Sequence, residues 1–252
     1  MSRPGGVALV ATGLILATVL YLWVPILLIG WGATHGMSNA GFGRGAASLA
    51  VLSLFSVLLA LASSVVASGV CLTASLLGCF FPDFAVFYNK WLFVMLFTNP
   101  VFLVFGFSIL LANIEPRLAV VLSSAYILMP FCGITVQAAV AGFDPAQIRA
   151  ASSLGASQLY IAVRHILPAV QRQVLAAVLL GAFYAVGFYM VPSFVGLGRV
   201  VTLGTVIHTM ANNVGDWTAA SQLCCIAVLA QGALLLLWAV TIRLTVRKAR
   251  PE

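Results

Sequence analysis

A chain of 252 residues with 63% hydrophobic and only 7% charged side chains cannot cover a water-soluble globule, whose charged fraction is roughly a quarter. The composition therefore excludes a soluble domain and makes lipid the main solvent, so membrane lipid is the first partner. The net charge of +7 would suit nucleic acid only if the cations formed a patch or stripe. Here they are scattered at the ends of apolar runs, where they set topology, and no nucleic-acid partner is expected.

Six apolar runs are each long enough to cross a hydrocarbon core, which takes about 20 helical residues. They lie near 7–31, 48–77, 91–112, 118–141, 173–196 and 219–242. The first follows "MSRPGG" and, at about 25 residues, exceeds the 7–15 apolar residues of a secretory signal. It is expected to remain as an uncleaved span. Before the third run, "FFPDFAVFYNKW" places Phe84, Phe87, Tyr88 and Trp91 on one helical face, which predicts an interfacial helix starting near Asp83 at the inner headgroup level. Between the fifth and sixth runs, Leu203, Val206, Ile207 and Met210 repeat that spacing. This outer helix is expected to cap the bundle or to gate a pathway, packing being the plainer role.

Orientation follows from the cations. With the N-terminus inside, Arg3, Lys90, Arg149, Arg164, Arg172, Arg243, Arg247, Lys248 and Arg250 are cytoplasmic, and Arg44, Arg117 and Arg199 are outside. That distribution obeys the positive-inside rule, and the inverted topology reverses it. The expectation is an all-α polytopic membrane protein: one transmembrane domain over 1–252, six transmembrane helices, and cytoplasmic N- and C-termini.

Ionisable residues inside spans mark proton relays and ion paths because lipid makes them costly. The central turns of all six runs carry none, which disfavours a proton- or sodium-coupled carrier. Amides such as Gln137, Gln222 and Gln231 either line a pathway or bond between helices. Candidate pathway or outer-gate residues are Gln137, Tyr184, Tyr189, Met210, Asp216 and Trp217, and candidate bend points are Pro25, Pro100, Pro130 and Pro192.

The only lysines, Lys90 and Lys248, lie in no phosphate-binding loop, so the chain cannot bind ATP by that route. His35, His165 and His208 are far apart and have no nearby carboxylate partner or nucleophile. Cys71, Cys79, Cys132, Cys224 and Cys225 form no Cys-x-x-Cys pair and read as small buried hydrophobes. Neither an enzyme, nor a metal site, nor a cofactor is expected.

The most polar long stretch is "IRAASSLGASQLYIAVRHILP", residues 148–168. It reads as two short helices. Asp144 caps the first and Pro145 suits its first turn. Gly155 supplies the left-handed residue that ends it. The second begins near Ser157 and stops at Pro168, with Leu159, Ala162, Val163 and Ile166 as its apolar face. Small Ala150 and Ala151 would allow a close approach by another surface. Such a rigid elbow either docks into a soluble partner or lies on its own bundle.

"AASSLG", eleven residues and "LP" together resemble the cytoplasmic EAA loop of binding-protein-dependent ABC importer permeases. That motif runs Glu-Ala-Ala, three residues, Gly, nine residues, an aliphatic, any residue and Leu-Pro. Ala150, Ala151, Gly155, Leu167 and Pro168 match in register, and the loop falls between the fourth and fifth expected spans. "YMVPSFVGLGRVVTLGTVI" and "DWTAASQL" are similar to the spermidine/putrescine permease branch, so the resemblance covers roughly 48–242.

The resemblance implies a type I importer permease in a bacterial inner membrane. Its partners would be two ATPase subunits, a second permease (a heterodimer being favoured) and an external solute-binding protein. The cargo would be a small polar solute, a polyamine such as spermidine or putrescine being favoured over ferric iron or phosphonate. ATPase coupling would fall to Arg149, Ala150, Ala151, Gly155, His165, Leu167 and Pro168. Arg149 stands where the motif has Glu and His165 where it has an aliphatic residue, which questions the usual anchor on the ATPase. The alternative reading is a passive channel or membrane scaffold without an ATPase.

Overall fold

Prolines punctuate the helices. Pro82, Pro100, Pro116 and Pro145 each sit in the first turn of a helix, where a missing N–H is no loss. A computed structural model describes residues 46–248 of the chain; the expected span over 7–31 lies outside the described residues. In chain order come α1 (Ala46–Phe80), α2 (Pro82–Phe97), α3 (Pro100–Leu110), α4 (Pro116–Ala141), α5 (Pro145–Ser153) and α6 (Gln158–Ile161). A π-helical turn (Ala162–Ile166) leads into α7 (Leu167–Ala185), followed by α8 (Met190–Phe194) and α9 (Leu203–His208). A second π turn (Thr209–Val214) precedes α10 (Trp217–Lys248). The described residues contain no strand.

Four helical stretches are long and apolar enough to cross a membrane: Leu49–Phe80, Pro116–Ala141, Gln158–Ala185 and Trp217–Leu236. The runs expected over 48–77 and 118–141 fall within α1 and α4. The expected single span over 91–112, with Pro100 as a candidate bend point, is two helices, α2 and α3, bent by 102°. Asn99 causes the break: its side-chain oxygen accepts from Val101 N–H at 2.9 Å while Pro100 occupies the new first turn. The interfacial helix expected to start near Asp83 is the first half of α2 and continues to Phe97. On it Phe84, Tyr88 and Trp91 pack, Tyr88 being buried, but Phe87 is 65% exposed. Leu92 and Met95 continue the buried face in its place.

Contacts give the helix directions. Cys71 of α1 donates to Met129 O of α4, and Cys79 and Val140 border one cavity, so α1 and α4 run the same way. Tyr88 lies near Gly133 and Trp91 near Tyr126, so α2 runs back against α4. Ser64 Oγ donates to Val178 O at 2.6 Å and Cys132 to Ala177 O, while Leu59 and Ser124 meet Ala185, so α7 runs antiparallel to both. Gln231 donates to Phe183 O and returns α10 alongside α7. The ends of α1 and α4 thus meet the elbow at one end of the bundle, and α8 and α9 lie at the other.

The core of this arrangement is made of small residues. Along α1, Ser56, Ala60, Ser63, Ser64, Ala67, Ser68, Cys71 and Ser75 are all buried, at helical spacings of three and four. In lipid there is no hydrophobic drive to bring helices together, so close backbone approach and packing supply the association. Gly181 of α7 marks a close approach between helices: a Cβ there would strike Ser64 Oγ and Cys132 Sγ. A second cluster (Val104, Val120, Ile127, Val191, Val195 and Val200) closes the end opposite the elbow.

Pro130 lies inside α4 and Pro192 inside α8, while Pro25 lies outside the described residues. Among the expected bend points described, only Pro100 stands at a break between the long helices.

Candidate functional site

The elbow is built by local hydrogen bonds that its residue types dictate. Asp144 Oδ1 accepts from Ala146 N–H at 2.8 Å and starts α5 behind Pro145. Gly155 has φ +82, the left-handed region, and its N–H bonds to Ser152 O at 3.0 Å. Ala156 N–H then reaches Ala151 O, and Ser157 Oγ accepts from Tyr160 N–H at 3.3 Å to cap α6. A Cβ on Gly155 would meet nothing within 4 Å, so the backbone angle, not crowding, is what asks for glycine.

Pro168 does not end the second helix. The chain is helical without interruption from Gln158 to Ala185, so the helix that carries the run expected over 173–196 starts well before residue 173 and ends before 196. Proline inside a helix lacks a donor and presses on the carbonyl four residues back. Here the preceding turn widens: Leu167 N–H bonds to Ala162 O, five residues back. The extra residue shifts the buried face. Ile161, Ala162, Ile166 and Val170 are buried, whereas Leu159 and Val163 of the expected face are exposed.

The outer surface of the elbow is consequently apolar at its tip. Leu154 is 88% exposed and Leu159 74%, with Tyr160 and Val163 more than half exposed beside them. Arg149 and Ala150 also point to solvent, but Ala151 and Ile148 pack against the bundle core. His165 is exposed and meets Tyr160 edge to face, with ring centroids 5.9 Å apart. Leu167 is partly buried and Pro168 exposed. These residues thus share one rigid unit continuous with α7.

The pathway candidates divide between the two ends. Tyr184 lies between Phe131 and Phe188, at centroid separations of 4.9 and 5.3 Å. Tyr189 stacks on His208 at 4.5 Å. Both tyrosines border a cavity of about 210 Å³ shared with α3 and α8. Met210 lines a neighbouring cavity with Pro192, Thr205 and Val206. Asp216 caps α10 by accepting from Ala219 N–H at 2.9 Å, and Trp217 is exposed beside it. Gln137 lies apart from them all, near the elbow, donating to Asn89 Oδ1 across α2 and α4.

The serine stripe of α1 is absent from the candidates that sequence reasoning selects. Ser56 Oγ accepts from Leu203 N–H at 2.8 Å and, with Ser63, Ser124 and Thr202, forms a small polar cluster beside α7. The regular spacing of small residues from Ser56 to Ser75 was the available signal.

No protein-family model matches the chain. Over 134 residues it is 28% identical to the spermidine/putrescine transport system permease protein PotB of Escherichia coli, covering 53% of this chain and 49% of that protein. Against the same-named protein of Salmonella typhimurium it is 28% identical over 120 residues, 48% of this chain and 42% of that one. The chain spans about half the length, or slightly less, of the curated relatives it matches. In fold it is similar to a chain of a bacterial alginate ABC transporter crystallised with an alginate pentasaccharide-bound periplasmic protein, with a TM-score of 0.59 and 14% identity. That match covers 96% of this chain and 95% of the other. The shared sequence makes about half of the chain similar to spermidine/putrescine transport system permease proteins, and the shared fold extends across nearly its whole length.

Proposed function

We propose that the chain is a transmembrane permease subunit of an ATP-driven importer, moving a small polar solute handed over by an external binding protein. The observation that carries this reading is the elbow. Two capped helices hinge on a left-handed glycine, and their root is buried through Ile161 and Ile166 while Leu154, Leu159, Tyr160 and Val163 stay uncovered. An apolar tip on the most polar segment of the chain calls for a protein groove, and an ATPase subunit is the partner that an importer needs. Because α6, the π turn and α7 are one continuous helix, a pull on the elbow would move a membrane span as a rigid body.

Two ATPases, a second permease subunit (a heterodimer being favoured) and a bacterial inner membrane complete the reading. Arg149, Arg164 and Arg172 lie on or next to the elbow, which agrees with a cytoplasmic elbow. The relatives' name favours a polyamine cargo. Tyr184 and Tyr189, which border the cavity of about 210 Å³, are the aromatic side chains that could meet an ammonium group there.

The test is uptake and binding-protein-stimulated ATP hydrolysis in vesicles at matched protein levels. Gly155→Val should leave the protein inserted yet uncouple hydrolysis from uptake, because the elbow lies at the end of the bundle. Wild-type uptake in that variant, or failure of any ATPase subunit to copurify with the chain, would sink the reading.

A further inference from the structure

A small cavity lies where α7 gives way to α8, beside Val186 and Pro192. The centre of a water-sized sphere can move through about 10 Å³ there, and about 10–15 Å³ by that measure is the least that holds one water. Its polar wall is four hydroxyl side chains: Ser56 and Ser63 of α1, Ser124 of α4, and Thr202 ahead of α9. Each of these residues is at most 3% exposed.

Counting hydrogens and lone pairs tells what fits. Ser56 Oγ donates to Leu52 O and accepts from Leu203 N–H, both at 2.8 Å, which leaves one lone pair. Ser63 Oγ donates to Leu59 O at 2.9 Å and keeps lone pairs to offer. Thr202 Oγ1 accepts from Thr205 N–H at 3.4 Å, but its own hydrogen has no acceptor among the described residues. Ser124 makes no hydrogen bond among the described residues. The hydroxyl oxygens of Ser68, Ser75 and Tyr88 are sealed away without a partner. That of Ser124 is not, so it opens on the cavity that its side chain lines.

The wall thus offers two hydrogens, from Ser124 and Thr202, and free lone pairs on Ser56 and Ser63. A water molecule is the complement: its lone pairs accept the first two and its hydrogens go to the others. A sodium ion takes lone pairs only and leaves both hydroxyl hydrogens unmatched. It would also be buried with no carboxylate on the lining. An apolar occupant would strand the whole set.

We propose that this cavity binds one ordered water, which ties the Thr202 cap of α9 to α1 and α4 beside the α7–α8 break. Thr202 starts α9 through a capping box with Thr205, so a hold on Thr202 is a hold on the first turn of that helix. No part of this rests on the importer reading.

The test is X-ray radiolytic labelling of the intact chain in lipid nanodiscs, read by mass spectrometry. Radiolysis of a bound water releases hydroxyl radical in place, which adds oxygen to the side chains it touches. Pro192 lines the cavity and Pro130 of α4 does not, although both are buried. Pro192 should be labelled about tenfold faster than Pro130, the contrast between a hydrated and a dry interior. Ser124→Val removes a donor and fills the space, and should bring Pro192 down to the Pro130 rate.

Equal rates at the two prolines in the wild type, or a Pro192 rate unchanged in the variant, overturns the water site. So does a Pro192 rate that falls when sodium replaces N-methylglucamine in the buffer, which would give the space to the cation. If Pro130 labelling rises in Ser124→Val, the packing has opened, and Ser63→Ala/Ser124→Ala takes its place with the same expected loss. Hydrogen exchange then reads the tie. Losing the water should speed exchange at the Thr205 and Val206 amides about fivefold, the effect of one hydrogen bond. Lost labelling with unchanged exchange would leave the water and overturn the tie.

Discussion

Asp144–Pro145 and Asn99–Pro100 are the same device in two settings. In each, a short side chain accepts from the N–H two residues on while proline takes the first helical turn. At the elbow the surroundings are polar, and the helix start stands out in the sequence. At Asn99 both flanks are apolar, so hydropathy reads through it and joins 91–112 into one span. The backbone nevertheless turns by 102°. Capping chemistry, not hydropathy, decides where a helix begins, even inside an apolar run.

The comparison can be broken most forcefully at the bend. Replacing Asn99 by Leu and Pro100 by Ala removes a cap worth about 1 kcal/mol and a block to helix continuation of about 3 kcal/mol. Spin labels at the exposed positions 90 and 109 should then move apart, towards the ~29 Å of a straight helix. An unchanged separation would assign the bend to packing of Val104 and Phe107 instead.

A smaller effect is expected at Gly155, where a residue with a Cβ costs about 1–2 kcal/mol in the left-handed region. Asparagine tolerates that region. Gly155→Asn should therefore keep uptake near the wild-type rate, whereas Gly155→Val loses it. Equal loss in both would mean that the open space around Gly155 is occupied in the assembly and that bulk, not backbone angle, is at fault.

Asp144→Ala should cost about 1 kcal/mol and Asp144→Asn almost nothing. Hydrogen exchange at the first amides of α5 reads this directly; faster exchange in both variants would show that charge, rather than the cap bond, holds the helix start. The least change is expected from Arg149→Glu. Arg149 is exposed, so stability should stay within about 0.5 kcal/mol. Uptake should be retained or improved, and a loss would show that the altered ATPase contact now needs the cation.

The elbow was readable in its punctuation and misread in its facing. Asp144, Pro145, Gly155 and Ser157 act locally, each through bonds spanning a few residues, and all four do what their types suggest. The face of the second helix depends on helical period, and the turn ahead of Pro168 is not 3.6 residues long. Periodicity therefore selects Leu159 and Val163 together with Ala162 and Ile166, while the structure buries Ile161 beside the last two and exposes the first two. The serine stripe escaped for a different reason: small residues carry little hydropathy signal, and their role emerges only when α4 and α7 lie against them. Gln137 stood out as polar, but its bond to Asn89 joins segments 48 residues apart and is invisible to any local pattern.

The widened turn at Ala162–Ile166 also sets the angular phase between the elbow and the membrane. One residue in a helix corresponds to a rotation of about 100° and an advance of about 1.5 Å. Were that turn to tighten by a residue, the segment before it would swing through most of a right angle or more while α7 stayed in place. Leu159 and Tyr160 would leave the surface they now occupy, with no rearrangement among Ser64, Cys132 and Gly181 below. Pro168 keeps that register from closing, so the direction in which the tip faces is set by a single ring with no N–H.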